Sequence, residues 1–284
     1  MSQIRTAESY LRFWAEYRIV ACPSHFWDNM AMSNQTEKNF AENKTADPAV
    51  FTPDVLEKGA PKNGVRQVLD ARLFFQLQVF SGSRDNGPLI KALQDNGIEG
   101  VLYEDIHNPT GVGLLTLNAD PDFFIARLRP LLNHGPFAQL TIKPEFSMLG
   151  RTYSLGYEQD LEDWLLHKPR RTALNPAWPW AVWYPLRRTG AFSELSHPEQ
   201  MEILKEHGMI GRAFGQADLS HDIRLACFGM DPNDNDFVIG LTGKKLYPLS
   251  ATVQAMRKTK QTANYIEKMG PFFIGKAAWQ SPTR

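Results

Sequence analysis

The sequence predicts an α+β protein: tandem ferredoxin-like βαββαβ repeats forming a β-barrel-like core, behind an N-terminal extension. Three observations predict it. Strand-like and helix-like segments follow one another in the order βαββαβ, and that order then recurs. Both runs close alike, with a helix, a Gly-Pro-Phe step (Gly135-Pro136-Phe137, then Gly270-Pro271-Phe272) and a last strand. Strand segments such as 72–80 are aromatic-rich and partly alternating, as expected of sheets whose bare faces pair while helices cover the other side. The expected organisation is 1–66 as helix and arm, 67–150 as the first half, 151–179 as linker, and 180–284 as the second half.

Each element has a local reason. Residues 6–17 place Tyr10, Leu11 and Trp14 on one helical face behind Thr6, an N-cap candidate. From 24 to 64 the pattern dissolves into Asn, Lys, Glu, Pro and Ala, which predicts an arm with one short helix around Val55 to Lys58. A strand is predicted over 72–80 and a helix over 88–94, stopped by Asn96-Gly97. Strands over 100–105 and 111–117 flank the turn at Pro109 and Gly111. A helix over 121–132 starts behind Asp120 with Pro121 at its first position, and a strand over 138–142 follows. The linker carries a helix near 160–166. The second half reads as strand 181–186, helix 198–207, strands 223–228 and 237–241, a long helix 250–268, and a strand after Phe272.

Composition narrows the function classes. At 284 residues, with 43% apolar and 22% charged residues and zero formal net charge, the chain has no electrostatic pull toward nucleic acid or anionic lipid. Cys22 and Cys227 lie far apart without CxxC spacing, against a disulfide framework or thiolate zinc, so a reducing cytoplasm is expected. Arg5, Glu8, Arg12, Glu16 and Arg18 interrupt the apolar positions of the N-terminus, so it does not read as a signal peptide. No 18-residue apolar run is present to span a membrane. Phosphate-binding glycine loops, nucleophile elbows and HExxH helices are absent. The run 231–236 lacks the glycine and glutamate of a calcium loop and reads as a polar turn.

Chemistry concentrates in the second half. Trp183-Tyr184-Pro185-Leu186-Arg187-Arg188 puts a phenol and two guanidiniums at a strand end, which suits an anionic aromatic ligand such as a porphyrin. The helix after it carries Glu206-His207-Gly208, and a histidine there can serve as an axial iron ligand or as a C-cap favoured by the helix dipole. His25, His107, His134 and His167 read as surface residues and His197 as a helix-start residue, leaving His221 as the second ligand candidate.

These motifs, with Gly211-Arg212, Gly229-Met230-Asp231, Met256-Arg257, Tyr265 and the run Gly270 to Gly275, resemble the chlorite dismutase family, which includes the coproheme decarboxylases. The likeness is strongest over 180–276. It implies heme b or coproheme held by His207, with hydrogen peroxide, chlorite or a porphyrin as substrate. The resemblance also implies a homo-oligomer, rings of five being frequent among relatives. Tyr184 matches the decarboxylases' tyrosine, a radical relay to propionates, and Arg188 stands where they keep a propionate-binding lysine. Two positions depart from the pattern. Ser220 stands where relatives keep a distal arginine or glutamine, leaving Asp222 or Arg224 for that face, with Arg224 able to stabilise an oxyanion or to pair with a carboxylate. Lys260 aligns with the glutamate that normally accepts from the ligand imidazole. The expected activity is a heme-dependent oxidoreductase, catalytic through Tyr184 and Arg224; the alternative is a non-catalytic heme-binding or sensing protein.

Overall fold

The computed structural model describes residues 52–283; the expected helix over 6–17 and most of the arm lie outside them. Residues Val55–Arg284 form one compact unit. The strands are β1 (Glu57–Lys62), β2 (Val65–Leu69), β3 (Phe74–Ser81), β4 (Gly100–Asp105), β5 (Gly111–Asn118), β6 (Thr141–Ile142), β7 (Met148–Arg151), β8 (Trp180–Arg188), β9 (His221–Ala226), β10 (Phe237–Gly243), β11 (Ile266–Met269) and β12 (Phe273–Gln280). The α-helices are α1 (Gly87–Asp95), α2 (Arg129–Leu132), α3 (Lys168–Ala173), α4 (Gly190–Glu194), α5 (His197–Gln216), α6 (Leu246–Met256) and α7 (Lys260–Tyr265).

The α+β class is as the sequence predicts. Antiparallel pairings run from β10 through β9, β7, β3, β5, β4 and β12 to β8, and β10 also pairs β8, so the hydrogen-bonded circuit returns on itself. Its thinnest link is the single pair Arg151 with Ala226. Strand alternation then sorts the side chains. Phe75, Leu77, Tyr103, Leu115, Trp183, Ile223, Leu225 and Phe273 point inward and form the central core. On the outer face of the first half, Val112 and Leu114 pack with Leu89 and Leu93 of α1. On the outer face of the second half, Val182, Tyr184 and Leu241 pack with Leu249 of α6.

Glycines admit the largest interior rings. A Cβ on Gly240 would come within 2.4 Å of the Trp183 ring, and Trp183 is wholly buried. Gly240→Ala is therefore expected to cost about 1–3 kcal/mol through overpacking, read as a lowered thermal midpoint.

Several elements differ from expectation, each for a physical reason. The short helix around Val55 is instead strand β1, folded back on β2. Asn63 and Gly64 take φ of 54° and 79°, the left-handed pair that a two-residue hairpin turn requires. The helices expected over 121–132 and 160–166 begin as wide π-type turns, Phe124–Leu128 and Asp163–His167, each running into a proline-containing helix. Pro130 and Pro169 lack the N–H and crowd the carbonyl of the preceding turn, which loosens it. The strand over 138–142 shrinks to β6, and β7 pairs β3 over four residues instead.

Helix α5 continues nine residues past His207. Gly208 stays helical, and the left-handed residue after the C-cap is Asp218, with φ of 53°. The long helix over 250–268 is broken in two, because the Thr259 hydroxyl caps α7 by accepting from the Thr262 N–H at 3.4 Å. After α7 the chain turns extended as β11 and pairs with the end of β8.

Candidate functional site

Register brings the predicted residues together on one surface. Across β8, β10 and β9, Tyr184 lies opposite Ile239 and Ile239 opposite Arg224. One row over, Val182, Leu241 and Asp222 line up in the same way. Two strand spacings separate Tyr184 from Arg224, roughly 10 Å between backbones. Beside this face runs α5, opened by the capping box in which Ser196 N–H and Oγ donate to Glu199 Oε2 at 2.9 and 2.6 Å. Ile203 is the buried residue of this 20-residue helix.

His207 sits mid-helix on α5, half-buried, with Nδ1 at 3.5 Å from the Thr259 hydroxyl. Thr259 is wholly buried and donates its own hydrogen to the Met256 carbonyl at 2.8 Å. An oxygen acceptor of His207 Nδ1–H is therefore supplied by Thr259, next to the Lys260 at which the family resemblance places the usual acceptor. Lys260 contributes its backbone N–H, donated to Glu206 at 2.9 Å. Burial, followed by the positive charges of Arg224 and Arg188, pushes the His207 pKa down to about 4, against the opposing pull of Asp222 and Glu206. The imidazole is neutral at physiological pH, the form a metal requires.

The sign of the pH dependence follows. With the folded pKa below the unfolded value of about 6.5, the unfolded chain binds more protons between pH 6.5 and 4. Stability should accordingly fall as pH drops through that window, by at most about 3 kcal/mol. His207→Ala should flatten that part of the profile in denaturant titrations of the ligand-free protein.

Arg188 lies between two rings, its guanidinium carbon 4.5 Å from the Phe192 centroid and 4.7 Å from that of Phe237. Its backbone N–H donates to Asp236 at 2.7 Å, whereas its buried Nε has no hydrogen-bond partner among the described residues. An unsatisfied guanidinium N–H in an aromatic slot suits an incoming carboxylate. Tyr184 is buried, with its ring stacked on Phe272 at 4.5 Å. Burial raises its phenol pKa well above the usual value, so it stays protonated. Arg257, whose charge acts against that rise, lines an open groove with Thr262, Lys268 and Met269.

Arg224 takes the partner that its strand parity allows: Nε pairs with Asp222 Oδ2 at 2.9 Å. Its guanidinium also lies 5.2 Å from the Trp164 ring centroid, with the Lys168 ammonium 4.3 Å from the same ring. Thr152, Tyr153, Trp164, Lys168, Asp222 and Arg224 line a recess between the linker and β9. The Trp164 indole N–H donates to the Tyr153 carbonyl at 3.0 Å. Sequence reading did not single out Tyr153, Trp164 or Thr259; the available signals were Pro169 within the linker helix and Thr259 as an N-cap residue type inside the expected long helix.

The second ligand candidate is engaged elsewhere. His221 stacks on Trp178 at 3.5 Å and its Nε2 meets Asp218 at 2.9 Å. Among the described residues no group of three or more His, Cys, Asp or Glu could hold a bare metal ion. No described helix is long and apolar enough to cross a membrane. A single neutral histidine, an apolar sheet face and an unsatisfied arginine do fit an iron that brings its own macrocycle and carboxylates.

Residues 140–278 match the family model described as chlorite dismutase. No curated protein matches the sequence. Among solved structures, a novel heme-binding protein from Thermus thermophilus is similar at TM-score 0.57 and 20% identity, over 79% of this chain and 93% of that one. A mutant chlorite dismutase from Candidatus Nitrospira defluvii gives 0.56 at 14% identity, over 74% and 92%. Chlorite dismutase of the same organism in complex with imidazole gives 0.54 at 14%, over 74% and 92%. At these identities the structural likeness concerns the fold. Residues 140–278 are thus similar to the chlorite dismutase family in sequence, and the described residues share the fold of solved chlorite dismutases and of a heme-binding protein.

Proposed function

We propose that the protein binds heme b or coproheme through His207 and acts as a heme-dependent oxidoreductase on hydrogen peroxide or a related oxidant. The observation that carries this reading is the neutral, half-buried His207 beside a sheet face bearing Tyr184 and Arg224, with Arg188 offering an unsatisfied N–H. When bound, the porphyrin iron would supply the redox chemistry. The protein's part is positional. His207 would give its Nε2 lone pair while Nδ1–H points to Thr259, a neutral acceptor that leaves the imidazole less anionic than a carboxylate partner would. Arg188 would hold a propionate. Arg224 would donate to an oxidant oxygen. The groove cations Arg257 and Lys268 are further carboxylate partners.

In a coproheme decarboxylase Tyr184 would supply the phenolic hydrogen for relay toward a propionate, and its buried, protonated state supports that use. The second reading, a non-catalytic heme-binding or sensing protein, is favoured by the Asp222 carboxylate on Arg224. We place the protein in the cytoplasm on its two widely spaced cysteines, and read it as a homo-oligomer on its family resemblance.

The two readings separate when protein loaded with heme b, and separately with coproheme, is mixed with peroxide. Oxidation of a phenolic donor, or release of carbon dioxide from coproheme, is the expected result; heme uptake with neither reaction points to the sensing role. Arg188→Ala should weaken porphyrin binding by roughly 1.5–3 kcal/mol through loss of a charge-assisted contact, read by Soret titration. Tyr184→Phe should bind coproheme normally and release no carbon dioxide.

A further inference from the structure

Among the described residues, Asp222 is the one carboxylate that the sheet register puts in the outward rows of β8, β10 and β9 beside Arg224. Its Oδ2 lies 2.9 Å from Arg224 Nε, and the two side chains are only partly exposed, at 40% and 33%. Its charge is felt across the site, opposing the fall of the His207 pKa and adding to the rise at Tyr184. The guanidinium thus faces the site already paired. A cation meant to draw in an anion gains most when it has no resident counter-charge, because an added anion must compete with the carboxylate for it and is repelled by that carboxylate. A neutral oxidant feels neither effect and can still accept a hydrogen bond from the remaining guanidinium N–H groups.

We propose that Asp222 is a specificity-determining residue: by pairing with Arg224 it neutralises the cation of this face and biases the site toward neutral hydrogen peroxide over anionic oxidants such as chlorite. The assignment rests on the heme reading above. Asp222 acts through Arg224 and is a positioning residue. Lys168, the other cation of the recess, is held over Trp164 on the linker side.

The test is Asp222→Asn, which removes the charge at nearly constant shape, with Asp222→Glu as the conservative control. Ferric heme-loaded protein is titrated with fluoride and azide, both anions at neutral pH, and with imidazole, largely neutral at pH 8, following the Soret band. Asp222→Asn should tighten fluoride and azide by about 10-fold, the effect of about one pKa unit of lost charge interaction. Imidazole should be unchanged, and Asp222→Glu should behave as wild type. The ratio of chlorite to peroxide turnover should rise in the same variant. Anion and imidazole affinities that shift together, or an anion affinity that does not move, overturn the assignment while the heme reading stands. A wild type whose Soret spectrum on titration stays that of free hemin overturns the heme reading, and this assignment with it.

Discussion

Replacing His207 by alanine should abolish stable iron ligation and leave the fold intact. Position 207 lies in the middle of α5, where alanine is the best helix former, and the side chain is only half-buried, so the packing loss is small. Partners that merely orient a metal-bound histidine contribute 10–100-fold in affinity, so removal of the ligand itself should exceed about 100-fold and shift the Soret position. The alternative histidine cannot step in without losing its stack on Trp178 and its bond to Asp218. An unchanged Soret position and affinity would move the iron site away from α5.

Arg224→Ala is expected to have the largest effect on turnover. A preorganised cation acts on charge that develops at the reacting oxygen, and losing one such donor costs about 10²–10³ in rate. Heme affinity should change little, because the propionate contact is assigned to Arg188. The freed Asp222 carboxylate keeps part of its exposure, at 40%, so its unpaired charge remains hydrated and the fold should tolerate the change. Losses of equal size in heme affinity and in turnover, or no loss in either, would make Arg224 a structural partner of Asp222 and Trp164.

Much of this was readable from the chain because local rules and tertiary structure agree. Asn96-Gly97 stops α1 where the left-handed glycine predicts, with φ of 59° at Gly97. The β4 bounds follow the apolar run between Gly100 and Asp105. Elsewhere one local rule overrode another. Gly208 looks like a helix stop, but tertiary contacts carry α5 past it, and Gly211 lets Met256 approach to 3.4 Å of where a Cβ would stand. Asn63-Gly64 was a legible hairpin signal, hidden by the polar composition around it. The candidate residues Tyr184, Arg188 and His207 were picked out by motif, and Arg224 by its parity along the strand. A carboxylate partner for Arg224 was one of two expectations, and the structure supplies it in Asp222; Thr259's place at His207 was not legible, since it depends on the break between α6 and α7.

The most direct test is hemin titration of the purified protein, followed in the Soret region. Binding through His207 predicts a band that saturates at one heme per chain and is lost in His207→Ala. A spectrum indistinguishable from free hemin at every ratio, or a wild-type band that the variant reproduces, would contradict the account.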